Sequence, residues 1–346
     1  MAYTTIDDPG LFFNTVLYTG NNSTQSITGV GFQPDMIWCK ARSYNDDHTI
    51  TDAVRGNTKV VYPNGPAVEG TSSVRVTAFG TDGFTLGNSG DVNSNSATYV
   101  AWNWKANGAG SSNTDGTITA TVSANTAAGM SIATWTGTGS NGSVGHGLSG
   151  VDCMIIKDLS NSRDFYFWSK TMVYNTRLEL NNTEAFTTGT DNMTALPDAT
   201  KINMAVSTQN NGSGNNYVGY FFQEKKGYSK FGTYTGNGNA DGTFVYTGFK
   251  PAFVLVKRTS GTESWQMTDS VRDKAVSPNF ARLRVSSNGA EDTNTTWAKI
   301  EKFSNGFKLG GTDTVSNGSG STYIYMAFAE EPLVANVGQG IPATAR

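Results

Sequence analysis

The chain has 346 residues with a formal net charge of −3, and only 15% of residues are charged. Glycine reaches 40 residues while apolar residues make up 37%, a mixture that suits strands joined by tight turns and disfavours both long helices and disorder. The absence of a basic run argues against a nucleic-acid partner, and the absence of a long apolar run argues against membrane insertion.

In chain order, residues 1–10 read as a polar leader ending in Asp8-Pro9, without the charged and apolar regions of a signal peptide. A strand follows at Thr15-Val16-Leu17-Tyr18-Thr19-Gly20. Next comes Gly31-Phe32-Gln33-Pro34, a turn, and the apolar run Met36-Ile37-Trp38-Cys39 closed by Lys40. Four apolar residues bounded by turn chemistry predict a buried strand, too short for a helix. The lysine is expected where the strand meets solvent, because a fully buried lysine needs a partner.

This pattern returns. Val151 to Lys157 and Pro251 to Lys257 repeat the strand, so the three lysines stand 117 and 100 residues apart. Tyr18, Trp135 and Tyr234 precede a glycine by two residues at spacings of 117 and 99. A third landmark begins at Tyr99, Tyr217 and Tyr323, each opening an aromatic strand. Hairpins are predicted at Asp82-Gly83 and Asn305-Gly306, dipeptides that favour a type I′ turn. The middle copy carries Pro197 to Met204 there instead and is read as the most diverged.

The outer copies share Thr51-Asp52-Ala53-Val54-Arg55 and Thr268-Asp269-Ser270-Val271-Arg272, read as a structural ion pair. His48 is matched to Trp265, with Trp168 in the comparable middle place.

The predicted fold is all-β: three tandem β-sandwich domains, jelly-roll or immunoglobulin-like, related by internal repeat. The expected layout is a leader over 1–10, repeats over 11–106, 117–226 and 227–332, a flexible Gly/Ser/Asn linker over 107–116, and a tail over 333–346. Each repeat is expected to carry a modest core of its own. Cys39 and Cys153 are read as buried free thiols.

Candidate chemistry is sparse. His48 and His146 sit in different repeats, and no HExxH, CxxC, GxSxG or Walker loop is present. Glu179, Glu184 and Asp164 are carboxylates to weigh for glycoside hydrolysis, with solvation their default role. Asn237, Asn239 and Asp241 alternate like the start of a calcium loop, but Gly248 stands where the bidentate glutamate belongs, so a plain turn is preferred and no metal or cofactor is assigned. Tyr44, Tyr62 and Trp297 do not recur in the repeats, which makes them the ligand-binding candidates.

Several stretches resemble a family of virion proteins from marine tailed bacteriophages: Ala2 to Pro9, Phe32 to Lys40, Asp82 to Gly87, Gly227 to Gly238, Tyr323 to Glu330 and Pro342 to Arg346. The resemblance implies a non-enzymatic structural component of the virion, assembled in the host cytoplasm. The expected role is a tail fibre or appendage that attaches to the host surface, with a glycan as ligand. A capsid decoration or head-fibre protein is the alternative reading, and a polysaccharide depolymerase the third. Expected partners are other virion proteins and further copies of the chain.

Overall fold

A computed structural model describes residues 4–188, 192–273, 280–293, 299–336 and 342. The chain is all-β, and the strand pairings among the described residues are antiparallel. One strand order occurs three times. Phe13–Thr19, Thr98–Trp104, Met36–Ala41 and Thr49–Asp52 lie side by side in the first section. Met130–Thr136, Asn216–Phe222, Cys153–Asp158 and Tyr166–Ser169 do so in the second, and Ser229–Thr235, Thr322–Pro332, Phe249–Arg258 and Gln266–Asp269 in the third.

A three-stranded sheet accompanies each. Gln25–Thr28, Gly83–Leu86 and Val76–Gly80 form the first, Gly142–Gly145, Lys201–Met204 and Met193–Ala195 the second, and Asp241–Tyr246, Gly306–Gly310 and Lys299–Phe303 the third. The middle section therefore has its hairpin after all, through the pairing of Met193–Ala195 with Lys201–Met204. A longer connection replaces the two-residue turn, which is why no Asn-Gly or Asp-Gly announces it.

The landmark aromatics meet across strands. Tyr18 is in register with Tyr99, Trp135 with Tyr217 and Tyr234 with Tyr323. Their rings stack with centroids 5.1, 5.6 and 4.9 Å apart. Each second tyrosine also clamps the loop before it. The Tyr99, Tyr217 and Tyr323 hydroxyls accept from the backbone N–H of Ser94, Gly212 and Gly318, all at 2.8 Å, and donate to the carbonyls of Gly90, Thr208 and Thr314. Six residues upstream, buried Asn93, Asn211 and Asn317 accept from Asn21, Thr138 and Asn237 N–H. This asparagine is a fourth recurring position, hidden in the sequence by loops already rich in Asn, Gly and Ser.

The sections do not keep their cores to themselves. One hydrophobic cluster joins Trp38, Trp102 and Trp104 of the first, Ile132, Ile155 and Phe222 of the second, and Phe253, Met326 and Phe328 of the third. The Phe13 and Phe328 rings stack at 5.3 Å, Trp104 meets Phe253 at 5.8 Å, and Phe222 meets Phe328 at 5.7 Å. Alternate residues of the same strands face outward to local cores. Ile37 and Cys39 pack with Phe84 and Leu86, whereas Met36 and Trp38 face the shared cluster. Strands covered on both faces read as unbroken apolar runs, which accounts for Met36-Ile37-Trp38-Cys39. The expectation of three self-sufficient cores is thus corrected to three local cores around a common one.

The lysines closing these strands are corrected too. Lys40, Lys157 and Lys257 are fully buried. Each ammonium donates to the next residue's carbonyl: Ala41 at 2.7 Å, Asp158 at 2.8 Å and Arg258 at 2.6 Å. Lys157 also reaches Pro66 O of the first section at 3.1 Å, and Lys257 reaches Thr183 O of the second at 3.3 Å. The partners that burial requires are backbone carbonyls, some from a neighbouring section.

Other bonds run between sections in the same sense. His48 Nε2 meets Arg284 O at 3.1 Å, and Trp265 Nε1 donates to Glu179 O at 2.9 Å. The strand registers place Phe165 at this position in the middle section, not Trp168. Asp52–Arg55 and Asp269–Arg272 are the ion pairs read from the sequence, at 2.6 and 2.5 Å. The expected free linker instead supplies Ser111–Asn113, a strand paired with Ala120–Asn125 at the edge of the second section's sheet. Cys39 and Cys153 are free and buried.

Candidate functional site

The loop after Met36–Ala41 carries Tyr44, and the segment after Lys59–Val60 carries Tyr62. Folding brings these two residues to one depression of about 400 Å3, with Asp46, Asp47, Arg75, Ser89 and Asp91 in its wall. Tyr44 is anchored at its tip. Its hydroxyl donates to Gly90 O at 2.5 Å and lies 2.8 Å from the Tyr99 hydroxyl. Tyr62 presents its ring to Arg75, whose guanidinium carbon lies 5.7 Å from the ring centre, a cation–π arrangement. Arg75 also forms an ion pair with Asp91, which accepts from Ser89 Oγ.

The acidic side of the depression is ordered by backbone and amide contacts. Asn64 Nδ2 donates to Asp47 Oδ1 at 2.7 Å, while Asn64 Oδ1 accepts from His48 N at 2.8 Å. Burial raises the pKa of both phenols, reinforced at Tyr44 by Tyr99 and opposed at Tyr62 by Arg75. Both therefore remain protonated near neutral pH. Phenol hydroxyls, carboxylates and a guanidinium around an aromatic face can bind hydroxyls while a ring packs against an apolar sugar face.

Trp297, the remaining ligand candidate, lies outside the described residues. Asn237, Asn239 and Asp241 are spent on a turn. Asn237 Oδ1 accepts from Asn239 N at 3.0 Å and from Asn317 Nδ2 at 3.0 Å, Asn239 Oδ1 accepts from Asp241 N at 3.1 Å, and Asp241 pairs with Lys308. No group of three or more potential metal ligands occurs among the described residues.

Both histidines are structural. Trp38 Nε1 donates to His48 Nδ1 at 3.0 Å, which leaves the proton on Nε2 to meet Arg284 O, and burial lowers the pKa to about 3. His146 Nδ1 accepts from Leu148 N at 3.1 Å, and burial lowers its pKa as well. Among the weighed carboxylates, Glu179 pairs with Arg177 at 3.0 Å and Asp164 accepts from Asn181 at 2.6 Å, while Glu184 is exposed.

Tyr44 and Tyr62 stand out in the sequence because they break the repeat, and they share this depression. Sequence reasoning missed Arg75 and Asp91, ordinary surface charges in sequence whose pairing across 16 residues only the fold creates.

The chain matches the model of a family described as a domain of unknown function, DUF7483, over residues 8–332, and it belongs to that family. No curated protein and no solved structure matches it.

Proposed function

We propose that the chain is three copies of one β-sandwich closed into a ring, and that it serves as a structural, non-enzymatic component of a bacteriophage virion. In this reading it is a tail fibre or tail-appendage protein whose first sandwich contacts a host-surface glycan. The observation that carries the reading is the convergence of Tyr44 and Tyr62 with Arg75 and Asp91 in one depression. Tyr44 and Tyr62 do not recur in the other two sections, so in this reading the repeated frame supplies the support and departures from it supply the contact.

A capsid-surface role is the second reading, favoured by one observation. The leader and the segment after the last strand meet: Asn336 N donates to Asp7 Oδ1 at 2.8 Å and Asn336 Nδ2 to Asp7 Oδ2 at 2.9 Å, while Thr5 N ties the leader to Lys226 O at 2.9 Å. Two neighbouring segments beside the third sandwich would make a single anchoring face. Among the described residues no helix is long and apolar enough to cross a membrane.

Cryo-electron microscopy of intact particles tests both readings, with density expected on the tail for the first and on the head for the second. Absence of the protein from purified particles contradicts both. Glycan-array binding by the full chain, with at least one glycan lost in Tyr62→Ala and no release of reducing sugar, supports attachment. Sugar release would overturn the non-enzymatic reading.

A further inference from the structure

The ring has three equivalent clefts where one section meets the next, and their chemistry differs. The position two residues after each buried lysine is Arg42, Leu159 or Thr259. Between the third and first sections, Arg42 closes the space with a two-pronged contact to Glu291, at 2.9 and 2.8 Å. Between the second and third, Met172, Phe186 and Ile324 make an apolar cleft of about 390 Å3. Between the first and second, Leu159 is too short and apolar to close the cleft, and about 430 Å3 stays open against a polar wall.

That polar wall is built. Ser112, Thr121 and Thr134 stand in register on three adjacent strands. Neighbouring strands run about 4.8 Å apart, so their hydroxyls form a regular row. The strand that adds Ser112 to the row is the one formed from the expected linker. Facing the row are Arg55, Lys59 and Glu69. Arg55 pairs with Asp52 at 2.6 Å and with Glu69 at 3.1 Å, and Lys59 pairs with Glu69 at 3.3 Å. Two cations thus meet two carboxylates, which leaves hydroxyl donors and acceptors without a dominant sign of charge. An anionic or cationic guest has no excess counter-charge to reward its desolvation, whereas a neutral polyol can exchange water for the hydroxyl row.

We propose that the cleft between the first and second sections binds a neutral oligosaccharide along the Ser112–Thr121–Thr134 row. The proposal adds a second subsite to the attachment reading and does not depend on the Tyr44–Tyr62 depression. Titration calorimetry and saturation-transfer NMR on the full chain test it, with maltohexaose, cellohexaose and N-acetylchitohexaose as neutral probes and polyglutamate as an anionic one. At least one neutral probe should bind saturably in the millimolar range or tighter. Thr121→Val combined with Thr134→Val should weaken it by about tenfold for each hydrogen bond lost, with the melting temperature unchanged and Tyr62→Ala without effect. Failure of all three neutral probes overturns the proposal, as does polyglutamate binding with the same threonine dependence or binding indifferent to the paired valines. Binding lost in Tyr62→Ala but intact in the paired valines places the glycan in the depression, which overturns the cleft and supports the attachment reading.

Discussion

The Tyr220 hydroxyl donates to Asp52 Oδ2 at 2.9 Å, joining the last strand of the second section to the first. Three residues after its landmark tyrosine, Trp102 holds the same position one section earlier and donates to Asp269 Oδ2 at 3.0 Å. Each aspartate is also held by its own arginine, Arg55 or Arg272. At the third contact the corresponding positions are Met326, Ser169 and Met172, none of them charged and only Ser169 polar. The polar set is thus replaced together. This is expected if a buried aspartate without its arginine costs more than having neither.

That co-replacement predicts strong coupling. Asp52→Ser alone should destabilise by about 3–5 kcal/mol, because it leaves Arg55 buried without its closest carboxylate. The combination Asp52→Ser, Arg55→Met and Tyr220→Met should cost clearly less than the sum of the single changes. Urea unfolding of the singles and the triple measures this, and additivity would contradict it.

The buried lysines predict a rise of stability with alkaline pH. Burial lowers Lys40, Lys157 and Lys257 to about 8, below the ordinary lysine value of about 10.4. Between these values the unfolded chain binds more protons than the folded one, so stability increases as pH rises. Denaturation midpoints should climb from about pH 7.5 to 8.5; above that the buried thiols and phenols, which ionise only on unfolding, oppose the climb. Lys157→Met should flatten the climb and cost about 1–3 kcal/mol at pH 7 by orphaning the Asp158 and Arg163 carbonyls.

Acid should weaken the fold before ordinary carboxylates titrate. His48 is held neutral in the folded state to about pH 3, while in the unfolded chain it takes a proton near 6.5. Its contribution is therefore complete above pH 6.5 and is lost as pH falls towards 3. In melting experiments at pH 7, 6 and 5, His48→Gln should show a shallower decline than the parent chain.

Both thiols should be inert until the protein unfolds. Burial raises Cys39 to about 12 and Cys153 well above its usual value, so neither forms thiolate at neutral pH. A chromogenic disulfide reagent should label neither in the native state and both in denaturant. Rapid native labelling would place a cysteine at the surface.

Much of each section's strand order was legible because it is written in local signals. The tyrosine landmarks recur and pair in register, and the Asp-Gly and Asn-Gly dipeptides lie in hairpins, although the turn residues Thr81-Asp82 and Ser304-Asn305 lack the positive φ of the expected type I′ turn. The contacts between sections were not legible, since their evidence is non-local. Lys157 looked like a strand end because Pro66, which shares its ammonium, is 91 residues away. Asp52 showed its arginine three residues on but not Tyr220, its partner in the next section. The unbroken run from Met36 to Cys39 was the one local sign that a second face was covered. In the candidate site, Tyr44 and Tyr62 stood out by failing to repeat, whereas Arg75 and Asp91 had no such mark.

Differential scanning calorimetry of the full chain tests most directly whether the three sections form one body. A shared core containing Trp104, Phe222 and Phe328 predicts a single transition whose calorimetric and van't Hoff enthalpies agree. An isolated chain of residues 227–332 should accordingly lack a cooperative melt. Three resolved transitions in the full chain, or a separately folded third section, would contradict the shared core.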